Sequence, residues 1–70
     1  MSADELDNLK AELKKLSAKA LQLKMDLHDL SEELPQNWES IPELARRTHQ
    51  AFQVLESKRA ELKELESAGH

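Results

Sequence analysis

The sequence predicts an all-α fold, an antiparallel hairpin of two long helices that dimerises into a partial four-helix bundle. Charged residues make up 34 % of the chain, with a single Gly and no Tyr, which is typical of helices and not of sheets. Apolar residues recur at heptad spacing on both sides of a short segment that contains turn-forming residues. Residues 1–70 form one small domain whose core is marginal unless another copy packs against it.

The first helix is predicted over about residues 3–34. Ser2 and Glu5 have the spacing of a capping box at its start, and Pro35 disfavours the helical conformation of Leu34 at its end. Steps of three and four residues alternate along one side of this helix, and we call that side, with its counterpart in the second helix, the heptad seam. The seam positions of the first helix are Leu6, Leu9, Leu13, Leu16, Ala20, Leu23, Leu27, Leu30 and Leu34.

A turn is predicted over about residues 35–40, where the segment PQNWES has no apolar period. The second helix is predicted over about residues 41–66, with Pro42 in its first turn, where the missing N–H is tolerated. The seam is interrupted in this helix by the charged Lys58. Its other positions are Ile41, Leu44, Thr48, Ala51, Leu55, Leu62 and Leu65.

Near the turn, each helix carries a second set of mainly apolar residues outside the seam. We call this set the second apolar face, and its members are Ala18, Leu21, Met25, His28, Ala45, His49 and Phe52. Leaving its large side chains exposed would forgo burial worth about 1.5–3 kcal/mol for each of them. We therefore predict a two-fold homodimer whose interface is this face, so that the helices overlap near the turn and separate toward the termini.

His28 lies in this predicted interface, and Glu32 follows it by four residues, on the same side of the helix. If His28 of two copies meet at a two-fold axis, they can share a divalent transition metal, because imidazole binds Ni, Cu, Zn and Fe. The alternative is an ordinary interface histidine bonded to a neighbouring carboxylate, since histidine titrates and bonds more often than it binds metal. The fold itself requires no cofactor.

Trp38 is the single Trp of the chain and lies in the turn. We expect it to pack over the end of the helices, because a small core gains most from a large aromatic side chain. The alternative is that an exposed Trp38 binds a partner protein.

Several classes of function are disfavoured by composition. The chain has no Cys, which excludes disulfides and thiolate metal sites. Its net charge of −4, with Lys and Arg scattered among Glu, opposes nucleic-acid binding. There is no nucleophile–base arrangement or phosphate loop, so we do not expect an enzyme. The absence of a long apolar stretch or leader predicts a cytoplasmic protein that does not enter the membrane.

The stretch KMDLHDLSEELPQNWESIPELARRTHQAF, residues 24–52, resembles the Rop-like family of small helical proteins, which have no known function and are encoded in nitrogen-fixation gene clusters. The resemblance is clearest in KMDLHDL, in the L-P-x-x-W turn and in the following I-P-E. It implies a hairpin that dimerises along part of its apolar surface, with His28 of both copies able to hold a divalent metal.

The resemblance further implies a non-enzymatic accessory role in nitrogen fixation, in which the protein binds or escorts a nitrogenase component or an assembly protein. A second reading is a protein that binds or delivers a divalent metal through His28. A third is an RNA binder of the Rop type, against which the acidic net charge argues.

Overall fold

The computed structural model describes residues 3–68 and confirms the predicted helical hairpin. Helix α1, Ala3–Glu33, and helix α2, Ile41–Ala68, are joined by a turn that ends in a short 3-10 helix, Trp38–Ser40. The two helices pack along their length into a rod that measures 52 × 14 × 13 Å. The predicted capping residue of α1, Ser2, lies outside the described residues.

Neither helix in the described part of the chain has an apolar stretch of the length that crossing a bilayer requires.

The turn begins where α1 ends, at Glu33. This is one residue before the predicted limit, because Pro35 disfavours the helical conformation of the residue that precedes it. The backbone N–H of Gln36 donates to the carbonyl of Glu33 at 3.0 Å and closes the last turn. Asn37 then adopts a left-handed conformation, with φ 62°, which an Asn side chain tolerates better than most residues do. The chain thereby reverses its direction within a few residues.

Helix α2 begins at Ile41, the predicted residue, with Pro42 in its first turn. It continues to Ala68, two residues beyond the predicted limit. No Gly or Pro interrupts the segment after Leu65 until Gly69, so nothing in the sequence stops the helix before Ala68.

The core of the hairpin is the heptad seam. Its buried members are Leu9, Ala20, Leu30, Thr48, Ala51 and Leu55. Ala20, Ala51 and Leu55 form one cluster, and larger leucines of α1 pack around it. The Thr48 hydroxyl donates to the carbonyl of Leu44 at 2.8 Å, so this polar group is hydrogen-bonded within the seam.

Lys58 occupies its seam position without leaving its charge unpaired. The side chain is 32 % exposed, and its Nζ lies 3.7 Å from Oε1 of Glu12 in α1 and 3.6 Å from Oε2 of Glu61. The apolar stem of a lysine can cover the seam while its ammonium group stays near water. The interruption seen in the sequence is therefore an ion pair that links the two helices.

The expectation that Trp38 packs over the end of the helices is wrong. Trp38 is 61 % exposed, and Leu34 and Ile41, on either side of the turn, are exposed as well. The indole therefore leaves these apolar side chains uncovered at the turn end of the hairpin.

Candidate dimer face and metal ligands

The second apolar face lies on one side of the hairpin. At about 100° per residue, Leu21 and His28 are about 130° from the local seam of α1, counted in the direction of increasing residue number. Phe52 and His49 are about 80–130° from the seam of α2 in the same direction. Viewed from one end, the two antiparallel helices wind in opposite senses. Rotation away from the seam in the direction of increasing residue number therefore leads to the same side of the hairpin in both helices. The two helices therefore contribute to one surface, and Ala18 and Met25, at about 180° from the seam of α1, lie at its outer edge.

This surface is open to solvent in the hairpin. Leu21 and Met25 are each 55 % exposed, and Phe52 is also exposed. Smaller and polar members of the face, Ala18 and Ala45 among them, are exposed too. Large apolar side chains that lie together on one side of a small rod are typical of a surface that binds another protein.

His28 lies at the turn-proximal end of the face, beside two carboxylates. Its Nε2 is 3.7 Å from Oε1 of Glu32, one helical turn further along, and its Nδ1 is 3.9 Å from Oδ1 of Asp29. Both separations are too long for hydrogen bonds. The two contacts are ion pairs when the imidazole is protonated. The side chains of His28 and Glu32 are 71 % and 72 % exposed, so both can reach a group outside the chain.

The donor set of His28 and Glu32 fits half of a divalent metal site. Two ligands of one tetrahedral ion, each about 2.1 Å from the metal, lie about 3.4 Å apart, which is close to the 3.7 Å between these two atoms. Within residues 3–68, however, no three His, Cys, Asp or Glu side chains are grouped so that they could hold one ion. Among the described residues, one hairpin thus offers no more than this pair of side chains to a shared ion.

A cluster of charged side chains on α2 was not anticipated from the sequence. The Glu43 carboxylate accepts hydrogen bonds from Arg46 at 2.8 and 3.2 Å and from Arg47 at 3.0 Å. These bonds lower the pKa of Glu43 from its ordinary 4.5 to about 2, and the same contact raises the pKa of Arg46. The spacings of three and four residues were the available signal, because they place all three side chains on adjacent turns.

Residues 4–67 match the Rop-like family. The chain belongs to the Rop-like family. The resemblance seen in residues 24–52 thus extends over nearly the whole of this Rop-like chain. No solved structure matches it.

The similar curated proteins carry the name UPF0437. One from Azorhizobium caulinodans is 57 % identical over 63 residues, which cover 90 % of this chain and 91 % of the relative. One from Trichormus variabilis is 44 % identical over 61 residues, or 87 % of this chain and 71 % of the relative. A third, from Frankia alni, is 50 % identical over 52 residues, or 71 % of this chain and 63 % of that protein. The Frankia relative is named as a protein of the nifX-nifW intergenic region.

Proposed function

We propose that this Rop-like chain is a non-enzymatic, homodimeric accessory protein of nitrogen fixation in the cytoplasm. It would bind or escort a nitrogenase component or a protein that assembles one. The observation that carries this proposal is the name of the Frankia relative, which places that protein between nifX and nifW. A two-helix rod with exposed apolar side chains is suited to binding other proteins.

Self-association through the second apolar face is part of the proposal. Two copies related by a two-fold axis would bury Leu21, Met25 and Phe52 and form a four-helix bundle near the turns. The termini would extend beyond the bundle as two-helix arms. The turn end, with the exposed Trp38, and the outer side of α2 remain available to a partner protein.

Capture from nitrogen-fixing cells tests the proposal. The tagged full chain is expressed at its natural level in a nitrogen-fixing host, and its partners are identified by mass spectrometry. Cells grown with ammonium, in which nitrogen fixation is repressed, serve as the control. We expect nitrogenase components or their assembly proteins to be enriched only in the fixing culture. Equal recovery of these proteins from an untagged strain would contradict the proposal.

A second candidate function is the binding or delivery of a divalent metal, which the 3.7 Å separation of His28 Nε2 and Glu32 Oε1 favours. In this case each copy of the dimer would contribute both side chains to one ion. Calorimetric titration with Fe(II), Ni(II) and Zn(II) tests it, with His28→Ala as the variant and His70→Ala, a histidine outside the proposed interface, as the matched control. We expect binding that His28→Ala abolishes and His70→Ala retains. Equal affinity in all three proteins would eliminate this function.

A further inference from the structure

A groove between the two helices lies on the side of the hairpin that the second apolar face leaves uncovered. It has a volume of about 690 Å³. Lys19 and Val54 line the groove. Lys19 is two residues from Leu21, and Val54 is two residues from Phe52, and both Leu21 and Phe52 belong to the second apolar face. Two residues correspond to about 200° around a helix, with the seam between them. The groove and the second apolar face can therefore be occupied at the same time.

The floor of the groove is apolar and continuous with the core. Leu16 and Leu23 of α1 and Ala51 of α2 form it, and the 39 % exposed side chain of Val54 stands at its wall. Since Ala51 is small, the floor is recessed between the larger side chains around it. A third helix can lie along such a depression, because packed helices approach to about 8–10 Å where the contacting residues allow it.

The rim of the groove is positively charged, although the chain as a whole carries −4. Lys19 lines it on α1, and Arg46 and Arg47 line it on α2. The hydrogen bonds of the two arginines to Glu43 hold the guanidinium groups in place and neutralise part of their charge. An arginine side chain has five donor N–H groups, so a guanidinium held through Nε, as in Arg47, keeps others that can meet a carboxylate.

We propose that this groove docks an amphipathic helix of a partner protein, with the apolar stripe of that helix on the floor and its acidic side chains against Lys19, Arg46 and Arg47. The inference rests on the proposed accessory function and names the surface and the partner chemistry for it. Charge selects the occupant: an acidic segment is attracted to this rim and repelled by the acidic remainder of the chain. The combination of an apolar floor with charged edges is typical of grooves that bind a helix.

Binding of designed peptides tests the proposal directly. The probe is a fluorescein-labelled peptide of about 20 residues, or roughly 30 Å as a helix, with Leu at seam positions and Glu beside them. A matched peptide has Lys in place of each Glu. Fluorescence anisotropy with the full-length protein is expected to show saturable binding of the Glu peptide, at least about tenfold tighter than binding of the Lys peptide. High salt is expected to weaken the binding of the Glu peptide.

Charge reversal on the protein provides matched variants. Lys19→Glu with Arg47→Glu removes one cation of the rim from each helix. We expect this double variant to bind the Glu peptide at least about tenfold more weakly than the wild type does. Lys10→Glu with Arg59→Glu makes the same change in charge outside the groove and is expected to leave the affinity within about twofold. Val54→Lys adds positive charge but replaces the apolar wall, and it too should weaken binding. Circular dichroism establishes that each variant is helical.

Four results would overturn the inference. The first is equal weakening by the two charge-reversal variants, which would mean that only overall charge matters. The second is tighter binding by Val54→Lys, which would mean that the apolar wall makes no contact. The third is tighter binding of a labelled RNA hairpin to the rim cations than of the Glu peptide. Absence of saturable peptide binding would count in the same way.

The groove and the proposed function can fail separately. If Lys19→Glu with Arg47→Glu still captures the nitrogen-fixation proteins that the wild type captures, the groove is not their docking surface, while the accessory function stands. If the wild type captures none of these proteins, the accessory function fails, and the peptide measurements still decide whether the groove binds an acidic helix.

Discussion

Replacing Leu21 and Met25 with Glu should convert the proposed dimer into monomers. Full burial of a Leu or Met side chain is worth about 1.5–3 kcal/mol, so the 55 % of each that is exposed in the hairpin corresponds to about 0.8–1.7 kcal/mol. A two-fold dimer buries each side chain twice, which gives about 3–7 kcal/mol in total. At about 1.4 kcal/mol per factor of ten, the substitutions should weaken dimerisation by two to five orders of magnitude.

Sedimentation equilibrium measures this effect over a range of concentrations. The matched control is Asn8→Glu with Lys14→Glu, which adds at least as much negative charge on the outer side of α1 but nearer its N-terminus. We expect the wild type and the control to sediment as dimers and Leu21→Glu with Met25→Glu to sediment as a helical monomer. An unchanged dimer in that variant would refute the placement of the interface, and a monomeric control would refute the partial overlap.

Three further predictions concern the stability of the hairpin and are checked by urea unfolding. Leu55→Ala removes a side chain that is 3 % exposed and should cost about 2–5 kcal/mol, whereas the exposed Val54→Ala should cost well under half as much; similar losses would contradict the assignment of the seam. Lys58→Leu should stabilise the hairpin by roughly 1 kcal/mol, because burial of the leucine contributes more than exposed ion pairs such as the one with Glu12. Destabilisation by this substitution would show that the ion pair contributes more than its exposure suggests. Glu43→Gln should lower stability at neutral pH. The pKa of Glu43 is about 2 in the folded protein, below the ordinary 4.5. The difference in stability between the variant and the wild type is therefore fully present above pH 4.5 and should vanish as the pH falls to about 2. A difference in stability that stays constant with pH would exclude the carboxylate as its source.

The candidate site could be predicted from the sequence only as far as helical periodicity reaches. The positions of Leu21, Met25 and His28 on one side of α1, and the four-residue step from His28 to Glu32, follow from the geometry of a single helix. That the corresponding residues of α2, among them Phe52, lie on the same side of the hairpin follows from its antiparallel direction. Dimerisation and metal binding remain predictions, because they depend on a second molecule.

Local sequence patterns were enough to predict the two helices, the turn between them and the residues that form the seam. Heptad spacing and the effect of Pro35 on its neighbour are local properties, which a single chain expresses without reference to distant residues. Three features arise only when the two helices pack together: the exposure of Trp38, the pairing of Lys58 with Glu12 and the groove beside Val54. Each of these depends on how closely and at what register the two helices meet, and that is set by the packing of small residues such as Ala20 against the opposite helix.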